Sequence, residues 1–303
     1  MLPLRRAIVG ILLLTVLATL GGWLLHTGLY GWTLFVAAPV MLGGLAVWVC
    51  RPATAARAAA IGAAATLAAL SMLLLVALEG LGCIVMAAPL ALPLGALGGV
   101  LAYTAERSTN ASRGIALLLL LPPAGLSWDA TARPPVFEVR SSVIIAAPPD
   151  RVWRYVVTFP ELPEPEEWFF RAGLAYPQRA RIVGSGPGAI RYCEFSTGPF
   201  VEPIETWEEA RLLRFRVTEN PAPMQEWSPY ARVLPRHLHG YLVSRRGQFR
   251  LIPLSGNRTI LEGATWYQHG LWPAQYWRWW SDAIIHRIHL RVLTHIRTLA
   301  EHE

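Results

Sequence analysis

Residues 143–162 read VIIAAPPDRVWRYVVTFPEL. Their first three residues close a β-rich run that begins at Phe137 (FEVRSSVII), where β-branched side chains suit a pleated surface. Pro148 and Pro149 then end the run, because proline cannot donate to a strand ladder. Asp150 stands at a helix start, and Val152, Trp153, Val156 and Val157 recur on one face at helical spacing. A strand therefore turns directly into a short amphipathic helix. A loop rich in proline and glutamate follows over residues 160–167.

Downstream, strand-like runs recur at about 179–184, 189–196, 200–208, 211–218, 241–254 and 258–267, divided by glycine and proline. Residues 184–188 (GSGPG) make a turn between two of them. No helix follows that turn, so it is not a phosphate loop or a dinucleotide fingerprint. The chain closes on a long helix over about 273–301. Strand, short helix, antiparallel strands and a long terminal helix make an α+β fold with a curved antiparallel sheet around one helix.

Upstream the composition changes. Only 16% of the 303 residues are charged, against 53% hydrophobic, where a soluble protein carries about 25% charge. Residues 1–128 hold six arginines and two acids, Glu79 and Glu106; residues 129–303 hold 21 arginines and 18 acids. Apolar runs at about 7–27, 31–49, 58–78 and 84–105 each match the roughly 20 residues that span hydrocarbon. A fifth, 114–128, is shorter and contains Pro122 and Pro123. The sequence thus predicts a membrane domain of four to five helices over 1–128 and a second domain over 129–303.

Arg5, Arg6, Arg51, Arg57, Arg107 and Arg113 fall on one side of this bundle, whereas residues 26–30 and 79–82 carry no arginine. The positive-inside rule makes the amino terminus cytoplasmic. If the fifth run spans, residues 129–303 lie outside the cytoplasm; if it rests at the interface, they lie inside. Glu79 is an acid at the end of the third run. It is either a functional group at depth or a residue of the headgroup region, and the second suits its position. Pro89 and Pro93 should kink the fourth helix.

The run at 143–162 resembles the opening of the START-like superfamily, also called polyketide cyclase/dehydrase-like or SRPBCC proteins: a strand, an APxxxVW turn, and a helix leading into F…L. The stretches RYCEFSTGPFVEPIETWEE (191–209), GQFRL (247–251) and TWYQHGLWPAQYW (265–277) are similar to a membrane-anchored bacterial branch of it. The resemblance covers nearly all of 129–303. It implies the helix-grip fold, a curved antiparallel sheet closing on the C-terminal helix around an apolar cavity. It also implies binding of lipids, sterols or polyketides, with a minority of members catalysing cyclisation or dehydration. Set beside the apolar runs, it places the chain in a bacterial plasma (inner) membrane.

Several residues are candidates for such a cavity. On the last helix Ile285, Ile288, His289, Val292, Ile296 and Leu299 share a broad face, with Arg287 and Arg291 opposite. His289 is the polar group pointing inward, either a core histidine or a donor for a ligand's head. Asp282 and His286, four apart, are spaced to pair. Arg191, Glu194, Glu202 and Glu205 alternate along neighbouring strands; they are solvated cross-strand pairs, or Arg191 and Glu202 turn inward as a buried ion pair. With the aromatic side chains, the ligand-binding candidates are Trp153, Trp168, Phe170, Arg191, Phe195, Trp207, Trp266, Asp282, His286 and His289. His289 and Glu202 are the acid–base candidates should the domain be an enzyme. Residues 168–171 and 221–230 are candidates for the cavity mouth, and the irregular stretch 220–236 for a lid.

Other chemistry is disfavoured. The chain has no lysine, which removes Schiff-base catalysis, and its arginines are interleaved with glutamates rather than forming the stripe nucleic acid requires. Its three cysteines, Cys50, Cys83 and Cys193, show no zinc spacing. His237 and His239, with Asp282, His286 and His289, supply enough ligands for a metal, yet Pro235 makes their segment a loop. No metal and no cofactor are expected. The expected partners are the lipid bilayer and an apolar small molecule, with no nucleic acid. Three functions compete: hydrophobic-ligand binding, a cyclase or dehydratase, and a membrane-tethered protein-interaction factor.

Overall fold

A computed structural model describes residues 2–108, 111–230, 233 and 235–302, with the side chains of 2, 3, 7 and 111–119 left out. The chain divides into two compact units. The first comprises residues 1–133 with the segments 226–237 and 270–273. The second holds the remainder of 134–303.

The first unit is helical: α1 (Leu2–Thr27), a π-helical turn (Thr33–Ala37) running into α2 (Ala38–Cys50), α3 (Ala55–Leu75), α4 (Leu81–Arg107) and α5 (Ala111–Thr131). Among the described residues four helices are long and apolar enough to cross a membrane: Leu4–Thr27, Thr33–Cys50, Ala55–Leu75 and Leu81–Arg107. Their ends carry ordinary stop and start signals. Arg51 takes a left-handed conformation after α2, and the Thr54 hydroxyl accepts from the Arg57 amide at 3.3 Å to cap α3. Asp129 accepts from the Trp32 and Thr33 amides at 2.7 and 3.0 Å, capping the π-helical start of the second apolar helix. α4 continues through Pro89 and Pro93 without a break.

α2, α3 and α4 meet through glycines. A Cβ on Gly43 of α2 or Gly62 of α3 would collide with the Gly95 carbonyl of α4. Glycine carries no side chain, so the helix backbones approach closely at these positions. At one end of the bundle Arg6 and Arg51 reach Glu106, at 3.4 and 4.0 Å. At the arginine-free end the Leu81 amide donates to the Trp227 carbonyl at 2.9 Å, the Tyr230 hydroxyl donates to the Leu75 carbonyl, and the Trp272 amide donates to the Tyr30 carbonyl at 3.0 Å.

The second unit is a seven-stranded antiparallel sheet in the order β1-β7-β6-β5-β4-β3-β2. Its strands are β1 (Val136–Ile145), β2 (Pro177–Val183), β3 (Ile190–Phe195), β4 (Gly198–Glu208), β5 (Leu212–Arg216), β6 (Leu242–Leu254) and β7 (Arg258–His269). Helices α6 (Pro149–Val157) and α7 (Trp168–Arg171) follow β1, and α8 (Ala274–His302) closes the chain. The strand–turn–helix read from 143–162 is therefore present, with α6 beginning one residue before Asp150. Register shifts at Pro177/Arg179, Ile204/Thr206 and Ser244/Arg246 mark irregularities of the kind that bend strands. The curled sheet with α8 is the helix-grip arrangement.

The core between them contains Ile145, Val152, Val156, Leu213, Leu261, Leu293 and Ile296, all fully buried. Leu293 and Ala300 extend the apolar face of α8 beyond the six residues the helical spacing marks. Arg287 is exposed, but Arg291 is not free: its Nη2 donates to the Pro163 carbonyl and its Nε to the Pro177 carbonyl at 3.4 Å.

Candidate functional site

A cavity of about 140 Å³ lies between the sheet and α8. Its wall is built by strand alternation, which sends every second side chain inward. Arg191, Cys193 and Phe195 come from β3, Phe200 and Glu202 from β4, Phe215 from β5, and Gly247 and Phe249 from β6. Ile285, Ile288, His289 and Val292 of α8 supply the opposite side. Phe195 and Phe200 meet edge to face at 4.8 Å.

The polar element of this wall is an ion pair. Arg191 and Glu202 are directly opposite in the β3–β4 register, and the Arg191 Nη1 donates to the Glu202 carboxylate. Both are buried, and the rings of Phe159, Phe215 and Phe249 surround the guanidinium carbon at 5.5, 5.7 and 5.4 Å. Burial pushes the Glu202 carboxyl above its ordinary value, against the pull of Arg191. Burial also pushes the adjacent Cys193 thiol up to about 12, leaving it an inert packing group. The other acids of these strands fall on the outer face. Glu194 takes Arg179 at 2.6 Å and Arg181 at 3.0 Å, and Glu205 takes Arg246 at 3.3 Å.

His289 is held at both ring nitrogens: Nε2 lies 2.8 Å from the Thr265 hydroxyl and Nδ1 3.1 Å from the Ser141 hydroxyl. The same hydroxyl lies 2.7 Å from Nδ1 of His286. Burial, aided by the neighbouring His286, lowers the His289 imidazole from 6.5 to about 4. It is neutral at neutral pH. The unfolded chain takes up the proton first on acidification, so this stabilisation is complete above 6.5 and is lost as pH falls towards 4. His289→Gln is expected to flatten that part of the stability profile, measured by denaturant unfolding from neutral pH downward. An unchanged slope would show that His289 does not set it.

Residues 220–223 complete the cavity wall. They are tied down rather than loose. The Asn220 side chain donates to the Ser244 carbonyl at 3.3 Å and accepts from the Ser244 amide at 2.8 Å. The Thr197 hydroxyl donates to the Ala222 carbonyl at 2.7 Å, and the Ala175 amide to the Pro223 carbonyl at 3.0 Å. The remainder of the irregular stretch, from Glu226 onward, belongs to the helical unit.

Of the residues the sequence nominates, Arg191, Phe195, Glu202 and His289 line the cavity. The others lie elsewhere. Trp153 is buried in the core against Trp207, edge to face at 5.6 Å. Phe170 packs on Phe169 and Tyr176, and Trp168 is 75% exposed. Trp266 points away from the cavity along β7, between the inward Thr265 and the buried Tyr267. Asp282 and His286 do not pair with each other. Asp282 takes the Tyr267 hydroxyl and the Arg278 Nε at 3.0 Å, a permanently charged partner at the same four-residue spacing, while His286 turns to Ser141. His237 is buried and His239 exposed, at a 3₁₀ turn over Arg236–Leu238. Phe200, Phe215 and Phe249 are among the lining residues that the nominations omit. Phe215, between Arg214 and Arg216, carries an alternation signal; Phe200, between Pro199 and Val201, carries none.

Residues 136–268 match the family model described as polyketide cyclase / dehydrase and lipid transport. This part of the chain is thus a START-like domain of the polyketide cyclase type. No curated protein matches the sequence. Among solved structures, the ZhuI aromatase/cyclase of Streptomyces sp. R1128 is similar at 17% identity, over 55% of this chain and 94% of that one, with a TM-score of 0.33. Truncated norcoclaurine synthase from Thalictrum flavum is similar at 13% identity, over 57% and 98%, with a TM-score of 0.37. A protein from Nitrosospira multiformis is similar at 16% identity, over 54% and 94%, with a TM-score of 0.34.

Proposed function

We propose that the START-like domain binds an apolar small molecule, of lipid, isoprenoid or polyketide type, in the cavity between sheet and α8. The observation that carries this reading is the state of Arg191. Its charge is buried in an aromatic box on the cavity wall, yet its Nε and Nη2 find no oxygen acceptor among the described residues. A buried donor without an acceptor is costly. A ligand with an apolar body and an oxygen at its head satisfies both the wall and the donors. Burying roughly 250 Å² of apolar surface contributes about 6 kcal/mol before the costs of ordering.

The helical unit supports a membrane location. We read its four apolar helices as spans, which keep the domain beside a bilayer that stores such molecules. Segment 226–237 packs at the arginine-free end of the bundle. By the positive-inside rule that end faces away from the cytoplasm. With α5 spanning as a fifth helix, the same rule puts the domain outside the cytoplasm.

Cyclase or dehydratase chemistry on the same ligand requires a free acid–base group. Both nitrogens of His289 are engaged and Glu202 is closed on Arg191, which favours binding over turnover. The test is a volume-filling variant, Ile288→Trp, titrated with a fluorescent long-chain fatty acid in detergent. Affinity is expected to fall at least tenfold with the unfolding midpoint nearly unchanged. Equal affinity in both proteins would move the binding site elsewhere.

A further inference from the structure

The helical unit contains a second cluster of chemistry-bearing side chains. Glu79, in the turn between α3 and α4, is 3% exposed rather than resting among headgroups as its sequence position suggests. Its Oε1 accepts from the Tyr30 hydroxyl at 2.7 Å, and its Oε2 lies 3.3 Å from Nδ1 of His237. Cys83, one turn into α4, is buried beside it. One ligand atom each from Glu79, Cys83 and His237 lies within 4.8 Å of the others. On the far side of the imidazole, Nε2 of His237 stands 3.7 Å from Glu226. The Glu226 carboxylate is itself fixed by the Gly82 and Cys83 amides at 3.0 and 3.1 Å, at the start of α4.

Two features of this cluster lack a protein explanation. Both nitrogens of the nine-tenths buried His237 and Oε2 of the buried Glu79 make no hydrogen bond among the described residues. Two carboxylates and a thiol also gather around one imidazole away from water, an excess of negative and electron-donating groups that burial disfavours. A divalent cation answers both. It takes the free lone pairs and neutralises the carboxylates.

We infer that Glu79, Cys83 and His237 form a zinc site, with Glu226 orienting His237 from its other side. Thiolate, imidazole and carboxylate together select zinc over calcium or magnesium, which take oxygen alone. Bond lengths of about 2.0–2.3 Å to one ion are compatible with ligand atoms that lie within 4.8 Å of one another. The Cys83 thiol releases its proton to solvent as the sulfur–zinc bond forms. The ion then clasps the 226–237 segment to the α3–α4 turn.

The experiment uses the full chain in detergent. After exposure to zinc and dialysis, elemental analysis is expected to find one zinc per chain. His237→Ala and Cys83→Ser are each expected to lower that value to near zero, while Cys50→Ser, at the exposed thiol, keeps it. Loading the unsubstituted protein with cobalt(II) keeps the test decisive if a variant misfolds. A thiolate-to-cobalt charge-transfer band is expected, absent from Cys83→Ser. A chain that retains no zinc, or a cobalt spectrum without the thiolate band, overturns the assignment. So does zinc that Cys83→Ser retains in full.

Discussion

Arg191→Met is expected to lower the unfolding free energy of the sheet unit by about 3–5 kcal/mol. The loss does not measure the worth of the ion pair. It arises because Glu202 is left charged and buried without a partner, in a wall otherwise made of phenylalanine rings. Arg191→Met combined with Glu202→Leu removes both charges and is expected to return stability close to that of the starting protein. The single variant also carries a sign. With Arg191 gone, the Glu202 carboxyl rises further above its unfolded value, so the deficit is full at neutral pH and shrinks as acid protonates the group. Denaturant unfolding in micelles, followed by tryptophan fluorescence, measures all three. Equal losses in the single and double variants would mean that the pair is not desolvated as described.

Trp153→Ala is expected to cost about 3–5 kcal/mol as well, by a different route. Trp153 lies on the inner face of α6, packed edge to face on Trp207 and among the residues that join α6 to the sheet. Its removal leaves a cavity among buried core residues. The same residue is a ligand-binding candidate from sequence, and the two roles separate cleanly. A core role lowers stability and leaves the fatty-acid affinity of the folded protein unchanged. A ligand-binding role lowers affinity and spares stability.

The fold was legible because its signals are local. Pro148 and Pro149 after a β-branched run, followed by valines and Trp153 on one helical face, specify a strand entering a helix whatever lies around them. Glycine and proline between strand-like runs marked the strands, and the spacing of Ile285, Val292 and Ile296 marked the sheet-facing side of α8. The cavity was legible in part for the same reason. Arg191 and Glu202 alternate inward with Phe195, and their pairing follows once β3 and β4 are placed side by side. What was hidden depends on contacts remote in sequence. Glu79 ends an apolar run, and only Tyr30 and His237 brought around it make that end an interior. Nothing in the composition of 226–237 assigns it to the helices, because the bonds that hold it run to backbone groups of α3 and α4. Competition misled the pairing of Asp282 with His286: both partners fit the helical spacing, and the guanidinium of Arg278 prevails.

The central claim is that the cavity holds an apolar molecule headed by an oxygen that meets Arg191. The most direct measurement is mass spectrometry of the small molecules released by denaturing the purified full chain, beside Ile288→Trp prepared in the same way. The expected result is one apolar compound at near one per chain in the unsubstituted protein and absent from the variant, above a background of bilayer lipids common to both. Identical profiles from the two proteins would contradict the claim.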